Sequence, residues 1–210
     1  MPAIASTQFF HSEEREGIHL LRITSADGTN RLTRACVLAL TAAVREFALD
    51  PKALIITGNE KFFSAGAELA EITALTGPDA LEFSKMGQQL MTEIERFPAP
   101  VYAAINGYCM GGGLDLVLAC HRRIASPHAI FAHRGAALGL ITGWGGTQRL
   151  PRLIGKPRAL EMFIAAGKIH AGDALRFGLV DTLTEDPITE AARELNERIH
   201  HGGTEAERES

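Results

Sequence analysis

Apolar and polar positions alternate along this chain in short and long blocks. Residues 17–24 (GIHLLRIT) have the length and apolar content of a strand, and SADGTN after them supplies turn chemistry. Helical spacing then runs from about Leu32 to Phe47, with Pro51 beyond it. Ala53–Thr57 (ALIIT) reads as a buried strand of a parallel sheet, closed by Gly58–Asn59. Pro78 suits the first turn of a helix through Arg96, with Leu81, Met86, Leu90, Ile94 and Phe97 spaced for an inner face, and Pro98 and Pro100 stop it. Val101–Ile105 is the next strand, and Leu114–Cys120 is apolar and helical in length. Short strands follow at Arg123–Ser126 and Ala129–Ala132, then a Gly-rich loop. Helical patterns occupy Gly146–Ile154, Pro157–Ala166 and Gly172–Phe177, with a strand at Leu179–Leu183 and an amphipathic helix from about Pro187 to His200. Strands alternating with helices, without a repeat of fixed period, predict one α/β domain over residues 1–200, and 201–210 read as a disordered tail.

Composition narrows the function classes. The 210 residues are 46% hydrophobic, enough for one core of that size, and the net charge of −4 comes with acids and bases interspersed. No basic stripe points to nucleic acid. No run of 18 apolar residues points to a membrane, and MPAIASTQFFHSEEREG has no export-signal pattern. Cys36, Cys109 and Cys120 lie in apolar segments without CxxC spacing, as expected of reduced thiols in a cytoplasmic protein. No His/Cys/Asp cluster has metal-site spacing, so no metal and no tightly bound cofactor are expected.

Chemistry concentrates in two turns. In SAGAE (64–68) and GGGLD (111–115) a strand runs into a glycine-rich turn and then a helix, which leaves backbone N–H groups unpaired and able to face negative charge. MGGGLD matches neither GxGxxG nor GxxxxGK[ST], which excludes dinucleotide and phosphate-loop readings. Asp115, the only charged residue between Met110 and Cys120, is expected to be desolvated, with a raised pKa suited to proton transfer.

Three stretches, Thr57–Leu69 (TGNEKFFSAGAEL), Pro100–Ala119 (PVYAAINGYCMGGGLDLVLA) and Gly145–Gly155 (GGTQRLPRLIG) with Gly178–Asp181 (GLVD), resemble the enoyl-CoA hydratase/isomerase (crotonase) family in order and spacing. The resemblance covers most of residues 17–183. It implies a crotonase fold, a spiral of ββα units with flanking helices, here with a shortened C-terminal helical region, assembling as a homotrimer or hexamer. It also implies an acyl-CoA thioester as substrate, with coenzyme A entering as part of that substrate. In such a site the N–H groups of Ala67 and Gly112 form an oxyanion hole for a thioester enolate, and Ser64, Ala65, Gly66 and Gly111 are implied as substrate-binding residues of the two turns. Asp115 falls where the family carries its first catalytic Glu.

The chain departs from the family in AIFAHRGAALGLITGWGG. Arg134 and Gly135 stand at the family's Pro and second catalytic Glu, and no acid lies between Ala129 and Arg149. Naphthoate synthases resemble it in having Gly there, and Gly135 beside Arg134 is a candidate binding place for a small anion or substrate carboxylate. His133 is a candidate acid/base, and Trp144 is expected to pack over the acyl pocket or the core. Glu68 is expected to support its loop, and Arg31 and Lys61 to be solvated surface charges. The nominal reaction is hydration of a 2-enoyl-CoA or isomerisation of its double bond. The rivals are an acyl-CoA-binding protein without catalysis, and a decarboxylase or hydrolase of a carboxylated acyl-CoA held by Arg134.

Overall fold

A computed structural model describes residues 3–206. The chain opens with strands β1 (Ala3–Ser6), β2 (Phe10–Arg15), β3 (Ile18–Ile23) and β4 (Arg31–Leu32), then helix α1 (Arg34–Phe47) and strands β5 (Ala53–Thr57), β6 (Phe62–Ser64) and β7 (Gly66–Ala67). Helices α2 (Leu69–Thr73) and α3 (Gly77–Glu95) follow, then β8 (Val101–Ile105), β9 (Tyr108–Met110) and α4 (Gly112–Ala119). The second half holds β10 (Arg122–Ala125), β11 (Ile130–Ala132), α5 (Gly146–Ile154), α6 (Lys156–Ala165), β12 (Ile169–His170), α7 (Ala171–Phe177), β13 (Thr182–Leu183) and α8 (Pro187–Ala206).

Three sheets result. The largest runs β1-β2-β3-β5-β8-β10-β13, the second β12-β11-β9-β6, and the third is the pair β4-β7. From β3 to β13 the large sheet is parallel. Its central strands β5 and β8 are buried along their whole length, as a parallel sheet covered on both faces requires. One face packs on α1, α3 and α4, where Leu21, Leu54, Val101 and Leu116 share a core with Val37, Leu90 and Met91. The other meets α8 through Tyr102, Ala191 and Leu195.

The helices start where capping chemistry allows. Thr33 accepts the Cys36 N–H ahead of α1, and Thr76 with Asp79 forms a reciprocal capping box ahead of α3, followed by Pro78 in the first turn. The inner face of α3 is Phe83, Gly87, Leu90, Met91 and Ile94, whereas Leu81, expected inside, is exposed. Leu90, Ile94 and Phe97 are buried as expected, and the stripe widens to Phe83, Gly87 and Met91 because α3 packs on both α1 and α4. The strand expected at Leu179–Leu183 shrinks to Thr182–Leu183, since Leu179 and Val180 N–H groups bond back to Ala174 and close α7. The last helix continues to Ala206, past the end expected at His200. Of the expected tail, residues 207–210 lie outside the described residues. All three cysteines are free and buried, and burial pushes the Cys36 and Cys120 thiols up to about 12. Among the described residues no helix is long and apolar enough to cross a membrane.

Candidate active site

Two strand ends bring the glycine turns together. In the second sheet β6 pairs with β9, Ser64 opposite Cys109, so the turns that leave these strands meet. Gly66, at φ +91°, has no room for a side chain: a Cβ there would lie 2.7 Å from the Met110 carbonyl oxygen and 3.2 Å from the Gly112 nitrogen. A Cβ on Gly112 would in turn come 3.4 Å from the Ala67 nitrogen. The backbones of 66–67 and 110–112 are thus in direct contact. Gly111, at φ +49°, caps α4, and the Asp115 N–H is the one that bonds back to its carbonyl. The amides ahead of Asp115 have no intrahelical acceptor, which is the general condition of a helix's first turn. Ala67 also belongs to the short parallel pair with β4, opposite Leu32, which holds the strand bearing its N–H in place.

An open cavity of about 540 Å³ lies over this contact. Ala65, Gly66, Ala67, Gly111, Gly112, Asp115, Arg134, Gly135 and Trp144, all candidates from the sequence, line it. Ser64 does not. It is fully buried beneath the turn, its hydroxyl donating to the Asn30 carbonyl at 2.7 Å and accepting the Gly66 N–H at 3.0 Å. Ser64 therefore shapes the turn from behind. Glu68 behaves as a loop support: it caps α2 through the Ala70 N–H and pairs with Arg31 at 3.2 Å. Lys61 sits over the Phe62 ring.

Asp115 is 1% exposed, and burial pushes its carboxyl up to about 7. Opposing influences are weaker. The Thr142 hydroxyl donates to Oδ2, Arg149 contributes positive charge, and the amides of Gly146 and Trp144 lie nearby, yet Oδ1 has no hydrogen-bond partner. His133 Nε2 stands 3.4 Å from that Oδ1. The histidine is 4% exposed, and burial lowers it to about 4, so its ring is neutral near neutral pH. The role of Thr142 leaves no mark in the sequence, because a hydroxyl opposite a buried acid has no motif.

Trp144 is wedged between two helices. A Cβ on Gly87 of α3 would strike its pyrrole edge at 2.1 Å, and one on Gly112 its benzo edge at 2.5 Å. Its indole N–H donates to the Phe83 carbonyl at 3.2 Å, and its ring packs against Phe83 at 5.3 Å between centroids. The loop from 135 to 141 forms the outer wall. Gly135–Leu138 is a single 3-10 turn closed by the Leu140 N–H on the Gly135 carbonyl at 2.8 Å. Leu138, Leu140 and Ile141 are exposed along it. Arg134 is exposed as well and, among the described residues, has no hydrogen-bond or ion-pair partner, so it brings no buried cation to the cavity. No three His, Cys, Asp or Glu side chains among the described residues converge as metal ligands.

Residues 13–209 match the family model described as enoyl-CoA hydratase/isomerase. Crotonyl-CoA hydratase of Syntrophomonas wolfei is 39% identical over 176 residues, which are 82% of this chain and 68% of that protein. A probable enoyl-CoA hydratase of Bacillus subtilis is 44% identical over 147 residues, 69% of this chain and 57% of that one, so the chain spans little more than half of this relative. Among solved structures, an enoyl-CoA hydratase from Bacillus anthracis superposes with a TM-score of 0.85 at 33% identity, over 92% of this chain and 77% of that one.

Proposed function

The chain belongs to the enoyl-CoA hydratase/isomerase family and has its crotonase fold, and from that premise we propose that it is an acyl-CoA enzyme working through a thioester enolate. The substrate carbonyl lies against the contact between the two turns, where the Ala67 and Gly112 N–H groups stabilise the oxyanion. Its acyl chain runs between Trp144 and the wall of Leu138, Leu140 and Ile141, and coenzyme A enters as part of the substrate. Asp115 moves the proton. One observation carries this reading: Asp115 is the sole carboxylate among the residues lining the cavity, beside the paired turns, with its pKa brought to about 7. A group that titrates near working pH both takes and returns protons efficiently.

One carboxylate suffices for isomerisation. Asp115 removes a proton from C2 of a 3-enoyl thioester, the C–H electron pair moves onto the thioester oxygen as the dienolate, and the same proton returns at C4 as the double bond settles between C2 and C3. Hydration is the second reading, favoured by the names of the relatives; it needs a further group to position water. Ultraviolet absorbance separates the two, since a 2-enoyl thioester signal grows from 3-enoyl-CoA on isomerisation and decays from 2-enoyl-CoA on hydration. Asp115→Asn is expected to reduce either turnover at least 100-fold, within the range attributed to a positioned acid/base, while acyl-CoA binding by calorimetry persists. Unchanged turnover in that variant would remove Asp115 from the mechanism, and absence of acyl-CoA binding in the wild type would overturn the reading. The exposed Leu160, Ile164 and Ile141 provide apolar surface for self-association as a trimer or hexamer, which sedimentation measures.

A further inference from the structure

The place of a second acid is closed in this chain. A Cβ on Gly135 would meet the Leu140 carbonyl oxygen at 2.8 Å, inside a turn already tied by the Leu140 N–H. The cavity must find another partner for Asp115, and the second sheet delivers one. β11 pairs in parallel with β9, Ala132 opposite Met110, and the Gly111 N–H bonds the Ala132 carbonyl at 2.9 Å. This register sets His133, the next residue, beside the first turn of α4. There its Nε2 lies 3.4 Å from Asp115 Oδ1, and both atoms are buried without a hydrogen-bond partner among the described residues. The ring rests against Phe163 at 5.2 Å, and Gly146 closes the pair from above, since a Cβ there would lie 2.1 Å from Oδ1 and 3.1 Å from Nε2.

We propose that Asp115 and His133 act as one proton-holding unit, His133 being the positioning residue that accepts the Asp115 O–H while the substrate is an enolate. This rests on the acyl-CoA reading above. When the Asp115 carboxylate takes a proton from carbon, the C–H electron pair passes to the thioester oxygen, and the new Oδ1–H points at Nε2. The O–H is thereby held in one direction until the dienolate takes the proton back at C4. No proton is gained or lost over the cycle, and His133 stays neutral throughout, in agreement with its lowered pKa. The surrounding charges leave this pairing intact. Arg149 of α5 acts on Asp115 but is itself tied to Glu95 of α3 at 2.6 Å, Arg134 is exposed, and burial keeps the Cys109 thiol beneath the pair neutral.

The test has two arms. In the first, ring-nitrogen NMR of histidine-labelled protein, with His133 assigned through His133→Gln, is followed from about pH 5 to 9 in the wild type and in Asp115→Asn. The expected result is a His133 Nε2 signal that moves with the ionisation of Asp115, near neutral pH, and stays flat over that range in Asp115→Asn. Identical His133 titrations in the two proteins would overturn the pairing. In the second arm, exchange of the C2 protons of butyryl-CoA with deuterium oxide reports enolate formation alone. His133→Gln is expected to slow exchange at least tenfold and displace its pH midpoint at unchanged butyryl-CoA affinity, whereas a superimposable pH profile would overturn the positioning role. No exchange in the wild type would overturn the acyl-CoA reading instead, while the NMR arm still decides whether the pair exists.

Discussion

Replacing His133 by Gln should give the protein a stability that falls as pH rises from about 4 to about 7, a slope the intact pair suppresses. In the unfolded chain near pH 5, Asp115 is ionised and His133 protonated, so the two together carry one proton. In the folded protein Asp115 sits at about 7 and His133 at about 4, so they again carry one proton, now on the acid. Equal proton numbers in the two states mean that this pair contributes no pH dependence. His133→Gln removes the balancing member. Asp115 alone then has a folded pKa of about 7 against an ordinary 3.8, so its stabilising contribution is present at acid pH and is lost as pH rises through that window. At about 1.4 kcal/mol per pKa unit the loss is about 4 kcal/mol, or about 2 M in urea midpoint for a slope of about 2 kcal/mol/M. Asp115→Asn should tilt the opposite way. His133, held at about 4 against an ordinary 6.5, then withdraws about 3 kcal/mol as pH falls through that interval. Urea unfolding followed by circular dichroism from about pH 4 to 8, on the wild type and both variants, measures the differences, and groups common to all three cancel. Three parallel curves would refute the one-proton account of the site.

Gly135→Glu restores the family residue to a turn without room for it, so thermal unfolding should show a loss of about 1–3 kcal/mol from overpacking, with no gain in hydration of 2-enoyl-CoA. Ser64→Ala leaves the Asn30 carbonyl and the Gly66 N–H without their partner; chemical denaturation should register a loss of about 1–3 kcal/mol, and acyl-CoA turnover should fall because the turn bearing Ala67 loosens. Gly87→Ala drives its Cβ into the Trp144 ring and should lower the unfolding midpoint by an amount that Trp144→Leu largely relieves in the double variant.

The order of α and β elements was legible because the buried strands of a parallel sheet, ALIIT and VYAAI, are uninterrupted apolar runs, and because Pro78, Pro98 and Pro100 mark helix ends chemically. The first two strands were not. β2 buries Phe10 and Ser12 while exposing His11 and Arg15, so FHSEER lacks the apolar run that marks a buried strand. Strands of two or three residues such as β4, β7 and β12 are held by partners distant in sequence and leave no local signal. At the site, the glycine turns and Asp115 were readable because glycine and a lone acid in apolar surroundings are informative residue types. The Asp115–His133 contact depends on the register of β9 against β11, which no one-dimensional pattern encodes. Ser64 misled for the opposite reason, since its place in a binding motif said nothing about the direction of its hydroxyl.

The wedged indole has a practical consequence. Trp144 is the sole tryptophan of the chain, 3% exposed, and its ring spans the space between α3 and the glycine at the head of α4. Its intrinsic fluorescence therefore originates at a single spot, the back wall of the cavity. Emission excited at the red edge, where the two tyrosines are silent, makes the folded protein its own optical probe of whatever enters beside Gly112, with no label attached.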